Sequence, residues 1–322
     1  MARTRNSRPR AFLLMVVFLP MIFLCGDPHQ ALAFSCTMSA TNIAFGSNNF
    51  NSGSDVSSSG TMTLTCNGAP KNKTIRMCVS IVGGSAHNSS TRLMNGPGTP
   101  QLSYQLYSDA SHTTVWGSWP LALYGGGVTW DIFSTGPNVT ATKTFYGLAQ
   151  GNQTSIIPGA YNSTLNLFFT YDNTNTAACP TPGKGNSSAT ILASATATSN
   201  CTIAASNLVF NSYTGNQLDA ASQISLTCTN TAAWNVGLNQ GTYPGATVTA
   251  RKMTASAGSS LSYSLYRDSA RTLNWGNTVG TDTAAGTGTG SVQTLTVYGR
   301  VPASQTPTAG GYVDTITATL TF

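Results

Sequence analysis

Leu102-Ser103-Tyr104-Gln105-Leu106-Tyr107-Ser108-Asp109 returns later in the chain as Leu261-Ser262-Tyr263-Ser264-Leu265-Tyr266-Arg267-Asp268. A Trp-Gly pair follows each block at the same distance: Trp116 is twelve residues past Tyr104, and Trp275 twelve past Tyr263. Further anchors keep the same order. Cys36 stands nine before Phe45 and Cys201 nine before Phe210. Thr63-Leu64-Thr65-Cys66 answers Ser225-Leu226-Thr227-Cys228, Arg92 and Met94 answer Arg251 and Met253, and Phe145-Tyr146-Gly147 answers Val297-Tyr298-Gly299. Gly159 and Tyr161 answer Gly310 and Tyr312. A period this long describes two homologous domains, not a solenoid, and each copy serves as a control for the other.

The repeated blocks read as strands. Thr61–Cys66, Leu102–Leu106, Leu261–Leu265 and Tyr312–Leu320 alternate apolar and polar residues, the pattern of a half-buried strand. Gly, Asn, Pro and Ser separate them, and no stretch after residue 33 sustains a 3.6-residue period. Only 7% of residues are charged and there is no Glu, a composition that favours strands and turns over exposed helices. Two all-β sandwiches are expected.

The N-terminus reads as a secretory leader. Arg3, Arg5, Arg8 and Arg10 precede an apolar run from Ala11 to Leu24, and Ala31-Leu32-Ala33 is a small-residue cleavage site. The domain boundaries expected are 1–33 for the leader, 34–199 for the first copy and 200–322 for the second. The formal net charge of +6 then falls to about +3. Neither that charge nor any Lys/Arg stripe gives a nucleic-acid footprint.

Cleavage leaves six cysteines in a secreted chain, which reads as disulfides. Cys36/Cys66 and Cys201/Cys228 occupy equivalent positions and are paired within their own copies. Cys78 and Cys179 have no counterparts in the second copy and are paired with each other. No C-x-x-C occurs and no His clusters with cysteine, so no metal site and no cofactor is expected. Neither a G-x-S-x-G elbow, an H-E-x-x-H nor a P-loop is present, and the expected reading is not an enzyme.

The copies differ in three ways. Ala189–Thr198 reads as one more strand of the first copy, and the second copy has no equivalent before Phe322. A sandwich short of one strand exposes an apolar groove and unpaired backbone, a state relieved by an extended segment from another chain. Phe34 lies two residues before Cys36, so the mature chain is expected to accept a strand and not to donate one, placing it at one end of a filament. Finally, the stretch after Trp116-Gly117 is longer and far more apolar than its counterpart. From Trp to the Tyr-Gly anchor it runs thirty residues against twenty-three.

Trp119, Leu121, Leu123, Tyr124, Val128, Trp130, Ile132 and Phe133 lie there around a Gly125-Gly126-Gly127 hinge, where the second copy has Thr, Ala and Gly. An exposed adhesive loop is the expectation; an extra hairpin packed on the first copy's own core is the competing one. Trp116 and Trp275, shared by both copies, are expected in the core.

On these anchors the chain resembles the spore coat protein U family, which includes subunits of archaic, Csu-type chaperone–usher pili. The resemblance covers both copies. The first copy departs from the pattern, with Leu148 where the second has Arg300 and with Asn162 at the place of Asp314. The resemblance implies tandem Ig-like sandwiches, the C-terminal one completed by donor-strand exchange. Its implied partners are a periplasmic chaperone, an outer-membrane usher, the adjacent pilin subunit, and an abiotic or host surface. Tyr312, Ile316, Ala318, Leu320 and Phe322 would edge the groove. The implied protein is a tip adhesin at the cell surface; a carbohydrate-binding pilus lectin and a structural spore-coat or matrix protein are the alternatives.

Overall fold

The computed structural model describes residues 33–322 except 85, 88–90, 120–123, 174–177, 180–184 and 257, with backbone alone at 86–87. The expected leader, apart from Ala33, lies outside the described residues, as do Leu121 and Leu123. All regular structure among the described residues is strand.

Among the described residues eleven strands form the first copy. They are β1 (Ser35–Ala40), β2 (Ile43–Asn48), β3 (Val56–Asn67), β4 (Lys73–Val82), β5 (Ala86–His87), β6 (Arg92–Asn95), β7 (Gln101–Tyr107), β8 (Val128–Ser134), β9 (Asn138–Ala149), β10 (Gly159–Asp172) and β11 (Gly185–Ala197). They make one continuous sheet that folds over on itself. One layer runs β1-β3-β9-β7-β6; the other runs β8-β4-β10-β11-β2; a single pairing, Asn162 with Asn95, joins β10 to β6. Period-two alternation produces the sandwich. Met62, Leu64 and Cys66 on β3, Ile75, Met77, Val79 and Ile81 on β4, and Tyr161, Leu165, Leu167 and Phe169 on β10 all enter one core.

The second copy has eight strands: β12 (Cys201–Ala205), β13 (Leu218–Cys228), β14 (Ala233–Leu238), β15 (Arg251–Thr254), β16 (Ser260–Tyr266), β17 (Ala284–Thr287), β18 (Val292–Val301) and β19 (Ala318–Thr321). Here the two layers are separate sheets, β12-β13-β18-β16-β15 and β17-β14-β19. They enclose a second core around Ile224, Leu226, Trp234, Val236, Leu261, Leu265 and Trp275. Strand for strand they repeat β1, β3, β9, β7 and β6, and β8, β4 and β10.

Three disulfides link Cys36 to Cys66, Cys78 to Cys179 and Cys201 to Cys228. The first and third join directly paired residues of β1/β3 and β12/β13. The second ties the segment after β10 to the outer face of β4.

A buried arginine holds each copy's centre. The Arg92 guanidinium donates to the carbonyls of Ile81 (2.7 Å) and Trp116 (2.9 Å) and to Gln105 Oε1. Arg251 donates to Leu238, Asn239, Val248 and Trp275 carbonyls at 2.6–2.9 Å. The Trp116 and Trp275 indoles in turn donate to Val79 and Val236 carbonyls. These satisfy carbonyls left over where the chain crosses between layers. Burial pulls the Arg92 pKa down to about 10, which leaves it cationic at neutral pH, and burial also lowers that of Arg251. The tryptophans are core, as their presence in both copies implies.

Candidate functional site

In the first copy β11 closes the sandwich. It pairs antiparallel with β10 from Gly159↔Ala197 to Tyr171↔Gly185, and parallel with β2. Ile191, Ala193, Ala195 and Ala197 point inward and are buried.

Among the described residues of the second copy no strand stands in that place, and its two neighbours are paired as strands only in part or not at all. Residues 206–217, equivalent to the β2 region, form no strand, and Val209 is 75% exposed. The segment equivalent to β10 alternates inward and outward from Tyr312 to Thr321, yet it is laddered only over β19. Between these edges lies an open groove of about 980 Å³, floored by Ile224, Leu261, Tyr263, Leu265 and Val297. Tyr312, Ile316 and Ala318 line it. Leu320 packs against the same core. Phe322 is 56% exposed and lies outside the groove lining, whereas its counterpart Tyr171 is buried, with the Phe34 ring 5.2 Å away and Gly185 of β11 against it.

Side chains do part of the work that β11 does in the first copy. The Asp314 carboxylate accepts from Thr242 N–H and Oγ1 (both 2.8 Å), Thr315 N–H (2.8 Å) and Tyr263 Oη (2.7 Å). Asn239 Oδ1 accepts from Thr317 N–H at 2.9 Å. Val313 and Thr254 exchange backbone hydrogen bonds at 2.8 and 3.0 Å. The Asp314 clasp needs Gly241, whose φ is +86° and on which a Cβ would stand 2.0 Å from Asp314 Oδ2. Burial, reinforced by the carboxylate, raises the Tyr263 pKa, so its hydroxyl stays a donor.

The equivalent of Asp314 is Ser163 and not Asn162: each stands two residues after the shared tyrosine, Tyr161 or Tyr312. Ser163 lies beside the Tyr104 hydroxyl as Asp314 lies beside that of Tyr263, and Asn162 faces outward. Burial lifts the Tyr104 pKa to about 12.

The described C-terminal half of the apolar stretch is a strand and not a free loop. Residues 128–134 are β8, paired with β4 from Val79↔Val128 to Lys73↔Ser134. Ile132 is in the core, Tyr124 is buried with its ring 4.4 Å from the Arg92 guanidinium, and Val128 and Trp130 are half-buried. Tyr124 and Ile132 therefore leave the proposed surface set. Gly126 and Gly127 are a seat for an indole and not a hinge: a Cβ on Gly127 would lie 2.3 Å from the Trp119 ring.

What remains exposed is a sheet face. Phe133, 62% exposed, pairs with Thr74 of β4. Phe168, 48% exposed, pairs with Ser80 of the same strand, and exposed Leu192 on β11 pairs with Thr164. Even spacing along β4 and β10 puts all three on one outer face. Trp119 lies over Ser80, whose Oγ accepts its backbone N–H at 2.9 Å. Together with Phe168, Ser80, Thr170, Asn186 and Ser188 it lines a cleft of about 320 Å³. Phe168 and Leu192 sit in ordinary alternating strands, and only knowing which face is outward singles them out. In the second copy Thr319 stands at the place of Phe168, Gly237 at that of Ser80 and Thr321 at that of Thr170. Among the described residues no group of three or more His, Cys, Asp or Glu side chains could hold a metal ion.

Comparison with known proteins places this geometry. Residues 28–167 and 187–319 each match the Spore Coat Protein U domain. Over 120 residues the chain is 39% identical to Protein U of Myxococcus xanthus, a match spanning 36% of this chain and 66% of that protein. The fold is similar to a chain of the CsuC–CsuE chaperone–tip adhesion subunit pre-assembly complex from archaic chaperone–usher Csu pili of Acinetobacter baumannii. That similarity has a TM-score of 0.53 and 19% identity, and it covers 89% of this chain and 100% of the other. Two matches in tandem, together over most of the chain, show that this chain belongs to the spore coat protein U domain family.

Proposed function

We propose that this chain is a non-enzymatic pilus tip adhesin, with residues 34–199 as its adhesive domain and 200–322 as a pilin-like domain that receives a strand. Residues 1–33 act as a cleaved leader that sends it through the periplasm to the cell surface. The observation that carries the reading is the open groove of the second copy, at the place where β11 fills the first. An extended segment added there pairs with the Tyr312–Phe322 edge and covers the apolar floor. A periplasmic chaperone supplies that segment first, an outer-membrane usher handles the exchange, and an adjacent subunit supplies it in the fibre. Likeness to a chain of a chaperone–tip adhesion subunit pre-assembly complex supports the chaperone as a partner.

The adhesive surface we assign is the outer sheet face of the first copy, carried by Phe133, Phe168 and Trp119, with Leu121 and Leu123 assigned from sequence alone. Serine at Phe133 and Phe168 should lower attachment of piliated cells to plastic about tenfold, with pilus number and tip immunogold labelling unchanged. Full attachment by the double variant would sink the assignment, and gold along the shaft would sink the tip position. The cleft between Trp119 and Phe168 supports a second reading, a neutral sugar ring stacked on the aromatics and bonded to the hydroxyl rim. Blocking of attachment by free sugars but not by mild detergent would favour it.

A further inference from the structure

The groove also specifies what fills it; this rests on the strand-acceptance reading above. β11 is the internal template. Facing Leu167, Leu165, Ser163 and Tyr161 of β10 it places Ala189, Ile191, Ala193 and Ala195. In the second copy those β10 positions become Ala318, Ile316, Asp314 and Tyr312, all lining the groove. Phe145, buried in the first core, is answered by Val297, another lining residue. Most other lining positions keep their size: Leu102 and Leu261, Leu106 and Leu265, Met94 and Met253, Ile81 and Leu238. The second groove has therefore lost apolar volume opposite the Ala189 position and gained a carboxylate opposite the Ala193 position.

A strand with β11's alanines would leave a void there, and unfilled volume forfeits contacts in proportion to its size. A large side chain facing Asp314 would instead collide with the clasp that holds the edge. We infer that the occupant is an extended strand of a different chain, antiparallel to Tyr312–Phe322. It carries a Leu-, Ile- or Phe-sized residue at the Ala189 position and an Ala- or Gly-sized one at the Ala193 position. β11 of another copy of this protein is a poor fit, so the groove discriminates against joining like to like.

The test appends strands to the C-terminus of the full mature chain through a short polar linker. One is a copy of Gly185–Ala197, one has leucine at the position of Ala189, and one has leucine at the position of Ala193. Calorimetry follows the transition of the second copy. The Ala189-position leucine should raise its melting temperature above that of the unaltered copy by about 5 °C, and the Ala193-position leucine should lower it. Equal stabilisation by all three, or the reverse order, overturns the size rule while leaving strand acceptance standing. No stabilisation by any of them overturns strand acceptance and the size rule with it.

Discussion

The same kind of segment is a fourteen-residue strand in one copy and a four-residue strand in the other. Gly159–Asp172 and Gly310–Phe322 share their Gly-x-Tyr start and their alternation. What differs is the neighbour. β10 has β11 along nearly its whole length, whereas Tyr312–Thr317 has the Val313–Thr254 bridge and the side chains of Asp314 and Asn239. Strand length here is set by the partner. The second copy holds its edge ready by local clasps where the first uses a completed sheet.

The largest effect should come from making the first copy resemble the second. Ile191 is fully buried on β11; Ile191→Asp places a carboxylate in that core and should cost about 4 kcal/mol or more. Hydrogen exchange across Gly159–Asp172 should then rise toward that of Tyr312–Thr317. Retained protection would break the claim that β11 makes the strand.

Next comes the disulfide found only in the first copy. Replacing Cys78 and Cys179 by alanine should cost about 2–4 kcal/mol, lowering the first copy's melting transition and leaving the second's in place. Movement of both transitions would show that the copies do not melt independently.

Smaller, and confined to the second copy, is Gly241→Ala, expected to cost about 1–3 kcal/mol through its left-handed backbone and its contact with Asp314. Gly245→Ala, with φ +77° in open space, isolates the backbone part. Equal losses at the two sites would remove the clasp argument.

The smallest effect is one the copies share. Asp109 accepts backbone N–H bonds from Thr113 and Thr114, and Asp268 from Thr272 and Leu273. These bonds hold both carboxyls below the usual range. A lowered folded-state pKa gives stability that is present above the unfolded value of about 3.9 and is lost as pH falls through the folded one. Both copies should soften in parallel below about pH 4, and Asp109→Asn should flatten that dependence in the first copy alone, as read by acid titration of the melting temperature.

Much of this was legible in the residues because a duplicated chain carries its own comparison. Two disulfide pairings followed from equivalent positions, the third joined the two cysteines left over, and the strand alternation followed from period two. The aromatic stretch was harder. Counting Trp119 to Phe133 as one loop overlooked that Val128–Ser134 alternates, and alternation sends Ile132 inward as surely as it sends Phe133 outward. The three glycines read as a hinge because their missing side chains were visible and the indole that occupies the space was not. Phe168 and Leu192 carried no signal, since a strand's sequence names two faces without saying which one meets solvent.

The sequence by itself determined the duplication, the all-β class and the two equivalent cysteine pairs, because periodicity and spacing are properties of the chain alone. Only the tertiary structure decided which alternate face is buried and that a left-over strand in one copy corresponds to a groove of about 980 Å³ in the other. Each of those depends on what lies across a sheet from a residue, and partners distant in sequence settle that.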